Sequence, residues 1–462
     1  MTYKKLILIS IFLLSFSSSA NAAINFRIDS KDIPKTKILV STTDKNNPQA
    51  GAIKADLEEI LSRVKRNLKS TDLFDIAQKD IASVGAGNVA GDLSIEKIPD
   101  FVRYSGVGVG MLLIVDGSFN QTPSALRSLP LAQPPGDLEI KVRLWDVLDE
   151  RQLFGKFYSS NKSNYKKMAS LISDEIFKAA TSEKMGHFDS KITYIAESGS
   201  ATKRVKRIVI MDFDGENRRY LTNGRDLVLT PIFSRQKNEI LFVRFFGEKP
   251  QIYSLDTNNA LVRKVGSFRG TTFAPTISPS DANVIAFSVI ENGNSNIYQM
   301  NLFTNQTTRL TSTRAIDTTP SYSPDGKRIV FSSDRGGNEQ LYIMNSDGGN
   351  ARKISTDSGS YSKPMWSPDG KFIAFTKLKA NQFSIGIIDV DGRNEKTLTS
   401  GYLVEGAKWS PSGRYIIYSR KNGAYGKASV PKLYVIDVLT GFERELPTAE
   451  NEGATDPDWM MN

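Results

Sequence analysis

Two hydrophobic patterns divide the chain. From residue 38 to residue 185, short apolar runs alternate with segments in which apolar residues recur every three or four positions, the spacing of amphipathic helices. Together these patterns predict a small α/β domain over residues 36–186. Its predicted strands are 38–40, 74–76, 111–115, 138–144 and 151–158, and its predicted helices are 51–69, 96–104 and 165–180.

The rest of the chain is a repeat. Thr319–Phe331 returns almost unchanged as Lys363–Phe375. Weaker copies are Pro231–Phe242, Pro275–Phe287 and Ala407–Tyr418, with a half-copy at Asp456–Trp459. The aromatic or apolar marks of the copies recur at intervals of 43–50 residues, and each interval holds four strand patterns. A period of this length with four short strands is typical of a β-propeller.

Six copies predict six blades over residues 187–462. The sixth inner strand is expected around Trp459, whereas the strands that would complete its blade lie at 191–222. The C-terminus must therefore supply the inner strand of the blade that opens the domain, which closes the ring without free sheet edges at the seam. The predicted fold class is an α/β N-terminal domain followed by an all-β six-bladed propeller with a shared first and last blade.

Turn chemistry supports this interpretation. In Ser-Pro-Asp-Gly, proline suits the second position of a type I turn, and glycine accepts a positive φ. Such turns occur at 323–326 and 367–370. Because the turn explains each aspartate, we expect these residues to shape the backbone rather than bind a metal, and we expect no metal and no cofactor.

Composition narrows the possible functions. Of the 462 residues, 39% are hydrophobic and 24% charged, which is ordinary for a folded protein. The absence of cysteine excludes disulfides, thiolate metal sites and a cysteine nucleophile, and His187 is the single histidine. Most histidine-dependent enzymes are therefore excluded, and His187 is expected to be a linker residue.

The N-terminus has the pattern of a secretory signal peptide. Lys4 and Lys5 precede an apolar run at 6–16, which is too short to span a membrane, and Ala20-Asn21-Ala22 matches a cleavage site. Cleavage after Ala22 is predicted, with export to a periplasm. No lipidated cysteine follows, so no direct membrane insertion is expected. Residues 23–35 would form an N-terminal arm.

The signal peptide, the α/β domain and the six Pro-x-Trp-Ser-Pro-Asp-Gly-like repeats together resemble the TolB family over essentially the whole mature chain. The resemblance implies a non-enzymatic role in the periplasmic Tol–Pal system. It implies that one propeller face binds the peptidoglycan-associated lipoprotein Pal and that the arm binds TolA. It also implies support of outer-membrane integrity and of constriction at cell division.

The resemblance implies Pal-contacting positions in the loops that precede each inner strand. Carried over by the following proline, the family positions fall on Thr271, Thr272, Ala274 and Thr318. We add Phe268, Arg269, Arg314 and Asp317, as an exposed aromatic and charged residues expected in the same loops. The sequence has Thr271 where the family pattern has a histidine, which leaves the individual contact open but not the face.

The arm is the second candidate site. Its residues are Ile24, Asn25, Phe26, Arg27, Ile28 and Asp29, and the alternating apolar members could add as a strand to a partner's sheet. The arm could instead pair with the protein's own first sheet. Both states at different times would make it a switch, which the resemblance favours.

Other functions stay open as alternatives. The channel could bind a cell-wall sugar or peptide fragment, and a weaker alternative is a propeller-type peptidase that lacks its catalytic domain. No G-x-S-x-G motif occurs, and Gly106–Gly110 does not match a nucleotide-binding loop. The basic run 203–207 could suggest nucleic acid, but export argues against that partner. A monomer is expected, with other outer-membrane proteins as further candidate partners.

Overall fold

The computed structural model describes residues 34–43, 50–78, 93–119 and 137–461, without residues 201, 235–236, 248, 267, 269 and 424–428. The predicted signal peptide, residues 23–33 of the predicted arm, and Arg269 lie outside the described residues. Within these ranges, no helix has both the length and the apolar character needed to cross a membrane.

The N-terminal part is a five-stranded sheet with helices packed against it. Its elements are β1 (Thr36–Thr42), α1 (Ala50–Lys69), β2 (Phe74–Ile76), α2 (Phe101–Ser105), β3 (Met111–Phe119), β4 (Leu138–Asp146), β5 (Arg151–Ser160), a 3-10 turn (Lys162–Asn164) and α3 (Tyr165–Thr181). The strand order is β2-β1-β3-β4-β5. β1 pairs in parallel with β2 and β3, and the remaining pairs are antiparallel.

The apolar stripes of the two long helices face the same side of this sheet. Ile60 and Val64 of α1 and Ile172 and Ile176 of α3 are fully buried in one cluster with the apolar residues of β4. The opposite side of the sheet is covered by a second cluster around Trp145. The predicted α/β arrangement is therefore present.

The predicted helix at 96–104 is wrong in its length. Only α2 is helical, because Pro99 disfavours the helical conformation of Ile98, the residue before it. Asp100 caps the helix, and its side chain accepts a hydrogen bond from the backbone N–H of Arg103 at 3.4 Å. The apolar spacing at 96–100 was thus not a helical signal.

Six four-stranded antiparallel blades follow, and the first strand given for each blade lies next to the central channel. The strands of blade 1 are β9 (Val228–Phe233), β10 (Glu239–Phe246), β11 (Lys249–Asp256) and β12 (Val262–Lys264). Those of blade 2 are β13 (Thr271–Ile277), β14 (Val284–Glu291), β15 (Asn294–Asn301) and β16 (Thr307–Arg309). Those of blade 3 are β17 (Asp317–Tyr322), β18 (Arg328–Ser333), β19 (Gln340–Asn345) and β20 (Arg352–Lys353).

Blades 4 to 6 complete the ring. The strands of blade 4 are β21 (Ser360–Trp366), β22 (Phe372–Lys379), β23 (Gln382–Asp389) and β24 (Lys396–Gly401). Those of blade 5 are β25 (Leu403–Trp409), β26 (Tyr415–Lys421), β27 (Lys432–Asp437) and β28 (Glu443–Glu445). Those of blade 6 are β29 (Gly453–Met461), β6 (Ser190–Ser198), β7 (Val205–Asp212) and β8 (Arg219–Tyr220). β29 pairs with β6, with Trp459 opposite Ile192. The predicted six-blade closure is confirmed.

The antiparallel strands divide the connections of the propeller between two faces. The mouth face carries the segments that enter each inner strand and the hairpins between second and third strands. The turn face carries the Ser-Pro-Asp-Gly turns and the connections between third and fourth strands. In the turn of blade 3, the Ser323 hydroxyl donates to Asp325 at 2.6 Å and accepts from the Arg328 N–H at 2.9 Å. This aspartate therefore shapes the turn.

The α/β domain packs on the turn face at blade 6. The ammonium of Lys166 lies 2.8 Å from Asp212, 3.1 Å from Asp214 and 3.0 Å from Glu216, and Arg63 donates to Glu216 at 2.8 Å. Burial opposes ionisation of Lys166, but the surrounding carboxylates outweigh it and raise its pKa. The mouth face is on the opposite side of the ring from this contact.

A buried carboxylate holds the junction between the two domains. Asp174 of α3 accepts hydrogen bonds from the backbone N–H groups of His187, Phe188 and Asp189 at 2.7, 2.8 and 3.2 Å. Burial raises the pKa of Asp174 to about 6, although these three bonds act in the opposite direction. His187 is buried against aromatic rings that include Tyr415, and burial lowers its pKa to about 3. This histidine is part of the core at the junction.

The mouth of the propeller channel as a candidate functional site

Every inner strand carries a bulge at the same position. The residue at the bulge has a φ between 47° and 73°, and in five of the six blades a proline follows it. These residues are Thr230, Ala274, Thr319, Lys363, Gly406 and Asp456. The pairing register of the inner strand with its neighbour shifts at or beside each of them. A positive φ is costly for residues other than glycine, so the ring of bulges stores backbone strain around the channel.

The bulges correct one part of the sequence analysis. The sequence predicts loops that run up to the proline, but the inner strands begin three or four residues before the position of this proline. Thr271, Thr272 and Ala274 therefore lie in β13, and Asp317 and Thr318 lie in β17. A strand can continue through the strained residue because the bulge absorbs it. Among the predicted loop residues that the structure describes, Phe268 and Arg314 lie in a loop.

Two of the predicted contact residues are fully buried. The Thr272 hydroxyl donates to the carbonyl oxygen of Pro250 in β11 at 3.3 Å, between blades 2 and 1. Asp317 accepts two hydrogen bonds from the guanidinium of Arg335, at 2.9 and 3.0 Å. That guanidinium also lies over the ring of Tyr342. Thr272 and Asp317 thus support the mouth from inside rather than presenting a surface to a partner.

Other predicted residues are accessible to different degrees. Thr271, Ala274 and Thr318 are partly exposed, and Arg314 is exposed. Phe268 is not the exposed aromatic that was expected, because it is half-buried with its ring 4.6 Å from that of Phe287. The alternation in β13 follows the strand period of two, which turns neighbouring side chains to opposite sides.

The mouth face also carries exposed apolar residues of blades 1 to 5, here called the apolar ring, which the sequence did not reveal. Its six members are 37% to 49% exposed and lie in the entering segments or at the hairpins between second and third strands. They are Leu227, Ile290, Ile316, Leu378, Tyr402 and Val430. Leu227, Ile316 and Tyr402 lie three or four residues before the bulge residues of blades 1, 3 and 5. An apolar residue at this spacing is the sequence pattern that could have predicted them. Exposed apolar side chains grouped on one face are typical of a protein-binding surface.

Among the residues that the structure describes, two cavities of about 100 Å³ each lie along the channel. The bulges of all six blades line the cavity nearer the mouth face, which we call the mouth chamber. Trp366, Trp409 and Trp459 line the cavity nearer the turn face. Ile232, Met365 and Lys408 line both, so they form the waist of the channel.

Charged residues at the mouth are largely held in ion pairs. Lys363, at the bulge of blade 4, donates to Glu405 of blade 5 at 2.5 Å. Burial would lower the pKa of Lys363, but Asp456 and Glu405 outweigh it and raise that pKa. The ammonium of Lys377 lies 2.6 Å from Asp357 and 2.6 Å from Glu395. Burial would lower the pKa of Lys377 too, but its hydrogen-bond partners outweigh burial and raise that pKa. These pairs cross between elements and hold the shape of the mouth.

Three residues of the basic run 203–207, which could suggest nucleic-acid binding, also form ion pairs. Arg204 and Lys206 lie 3.4 and 2.6 Å from Glu197, and Arg207 lies 3.0 Å from Glu452. These contacts belong to blade 6 and to the segment that enters its inner strand. The run therefore contributes to the structure of the closing blade.

The fold and this mouth define a two-domain β-propeller protein with exposed apolar residues on its mouth face. The TolB beta propeller domain family matches residues 177–461. The Tol-Pal system protein TolB of Gluconobacter oxydans (strain 621H) is 39% identical over 378 residues, which cover 79% of this chain and 83% of that protein. The crystal structure of TolB from Acinetobacter baumannii superposes with a TM-score of 0.75 and covers 92% of this chain and 96% of that one.

The chain belongs to the TolB family of the Tol–Pal system. The structural match has 24% sequence identity and therefore shows the shared fold alone. The family expectation from the sequence analysis is confirmed.

Proposed function

We propose that this protein is a non-enzymatic periplasmic component of the Tol–Pal system whose mouth face binds the lipoprotein Pal. In this role it supports outer-membrane integrity and constriction at cell division. The observation that carries the proposal is the apolar ring on the mouth face in a chain of the TolB family. The α/β domain packs on the opposite face, so a partner has access to the whole ring.

The chemistry of the ring fits a protein partner. Tyr402 is 42% exposed and belongs to the residue types that contribute most to interface affinity. Thr271 stands opposite Ile290 in the pairing of β13 with β14, which places a predicted contact residue directly beside the ring. Arg314 is exposed next to Ile316 on the same segment and would form part of a polar rim.

Binding of Pal to variants of the two faces tests the proposal. Ile316→Asp and Tyr402→Asp each place a charge in the ring, and we expect Pal affinity to fall at least tenfold in isothermal titration. Phe303→Asp is the matched control, because Phe303 is 85% exposed but lies on the turn face. Affinities of both ring variants equal to that of the control would contradict binding at the mouth.

The N-terminal arm is proposed to bind TolA, a role that rests on the family resemblance. Deletion of residues 23–29 is expected to abolish TolA binding and to leave Pal binding equal or stronger. Titration of the deleted protein against both partners checks this, and equal loss of both would indicate general damage to the fold. N-terminal sequencing of exported protein is expected to begin at Ala23, and a start elsewhere by more than a few residues would remove the basis for the arm.

A further inference from the structure

The waist of the channel contains a cation with unused hydrogen-bonding capacity. Lys408 belongs to β25 and lines both channel cavities. Among the described residues, its ammonium lies 3.7 Å from the sulfur of Met365 and 3.9 Å from Asp458 Oδ1. Sulfur is a weak acceptor, and a separation of 3.9 Å is too long for a hydrogen bond. An ammonium with three donors is therefore only weakly satisfied at this position.

The nearest carboxylate is held by another group. Asp458 Oδ2 accepts a hydrogen bond from the backbone N–H of Phe233 at 2.7 Å. This bond ties the inner strand of blade 6 to that of blade 1, and it fixes the carboxylate across the ring seam. Asp458 therefore cannot turn freely toward Lys408 without breaking a contact that closes the propeller.

The mouth chamber above Lys408 has a lining suited to one short acidic side chain. Its charged lining residues are Lys363, Lys408 and Asp456. Lys363 is already paired with Glu405 and also interacts with the charge of Asp456, so Lys408 is the remaining cation among the described residues of this lining. Prolines from five blades form much of the wall, and their rings can pack against methylene groups.

We propose that the mouth chamber receives a glutamate side chain from the docked protein partner, with its carboxylate bound by Lys408. The two methylene groups of glutamate pack on the proline wall, and the carboxylate supplies the acceptor that Lys408 lacks. Charge-assisted hydrogen bonds of this kind are stronger than neutral ones, especially away from water. The inference deepens the proposed function, because it rests on a partner bound at the mouth face.

A small-molecule titration tests the chamber without Pal. The probe is N-acetyl-glutamate N-methylamide, with the N-acetyl-glutamine N-methylamide analogue as its uncharged match. Trp409 follows Lys408 directly, and Trp366 follows Met365, so tryptophan fluorescence reports on the waist. We expect a saturable change with the glutamate probe, at least tenfold weaker binding of the glutamine analogue, and loss of the signal in Lys408→Gln. Equal responses to both probes would overturn the proposal.

Pal titration then separates this inference from the proposed function. Lys408→Gln is expected to weaken Pal binding at least tenfold, and Lys408→Arg to restore most of the affinity. Lys379→Gln is the matched control, because it removes an exposed charge from the same face outside the chamber. If Ile316→Asp weakens Pal binding but Lys408→Gln matches the control, the chamber inference fails and the docking face stands. If the ring variants have no effect, the docking face fails, and the probe titration still decides the chamber.

Discussion

The indole N–H of Trp459 donates to the hydroxyl of Ser190 at 2.7 Å, which joins two residues 269 positions apart in the chain. Trp459 is buried, and it belongs to a cluster that also contains Phe177 of the α/β domain and Tyr415 of blade 5. One side chain thus links ring closure, domain docking and the neighbouring blade. Loss of the last strand should therefore reduce the stability of both domains.

Deleting residues 455–462 is expected to destabilise the whole molecule. Removal of a large buried aromatic alone typically costs about 3–5 kcal/mol, and the deletion also leaves the edge of β6 unpaired. Thermal unfolding followed by circular dichroism measures the effect, with Phe303→Ala as an exposed aromatic control. A truncated protein that melts at the wild-type temperature would contradict a contribution of the shared blade to stability.

His187 is expected to make the protein less stable in acid. Burial lowers its pKa to about 3, whereas the unfolded chain has a histidine pKa of about 6.5. A base with a lowered pKa contributes stability that is present above the unfolded pKa and is lost as pH falls from 6.5 toward 3. Between pH 7 and pH 5 the loss should be about 2 kcal/mol.

Urea unfolding of the wild type and of His187→Phe at both pH values measures this contribution. The raised pKa of Asp174 acts in the opposite direction between about pH 6 and 4, and it is common to both proteins. The difference between the two proteins therefore isolates the histidine. Parallel stability curves would show that His187 does not titrate on unfolding.

Thr271 and Thr272 are expected to respond differently to the same change. Thr272 is fully buried, so Thr272→Glu places a charge inside blade 2 and should cost several kcal/mol, about the amount typical of an unpaired buried charge. Thr271 is partly exposed, so Thr271→Glu should leave the unfolding midpoint nearly unchanged and weaken only Pal binding. Similar losses of stability in both variants would contradict the observed alternation of β13.

Asp317→Ala is expected to reduce stability, although the sequence suggested this residue as a direct contact. The change leaves the guanidinium of Arg335 without its two charge-assisted hydrogen bonds, at a cost of about 1–3 kcal/mol. The double variant Asp317→Ala/Arg335→Ala should lose less than the sum of the two single variants. Additive losses in denaturant unfolding would argue against coupling of this pair.

The residues near the prolines show which parts of the candidate site could be predicted from the sequence. The repeat placed prolines of five blades around one channel, and the family resemblance implied Thr271, Ala274 and Thr318, which are partly exposed in the inner strands. It could not distinguish Thr272 from Thr271, because the bulge shifts the side-chain alternation relative to the proline. It also missed Leu227, Ile316 and Tyr402, since single apolar residues in a connection do not indicate exposure by themselves.

The α/β domain, the number of blades and the shared last blade were predictable from the sequence, because they follow from hydrophobic periodicity and from counting strands. The contacts between residues of different blades became known only from the folded structure. Lys408, Met365 and Asp458 come from different blades, and Asp174 reaches the N–H groups of the domain junction only when helix and linker are packed. Such contacts depend on the closure of six blades around one axis, and no local pattern along the chain encodes the distance between atoms on opposite sides of that axis.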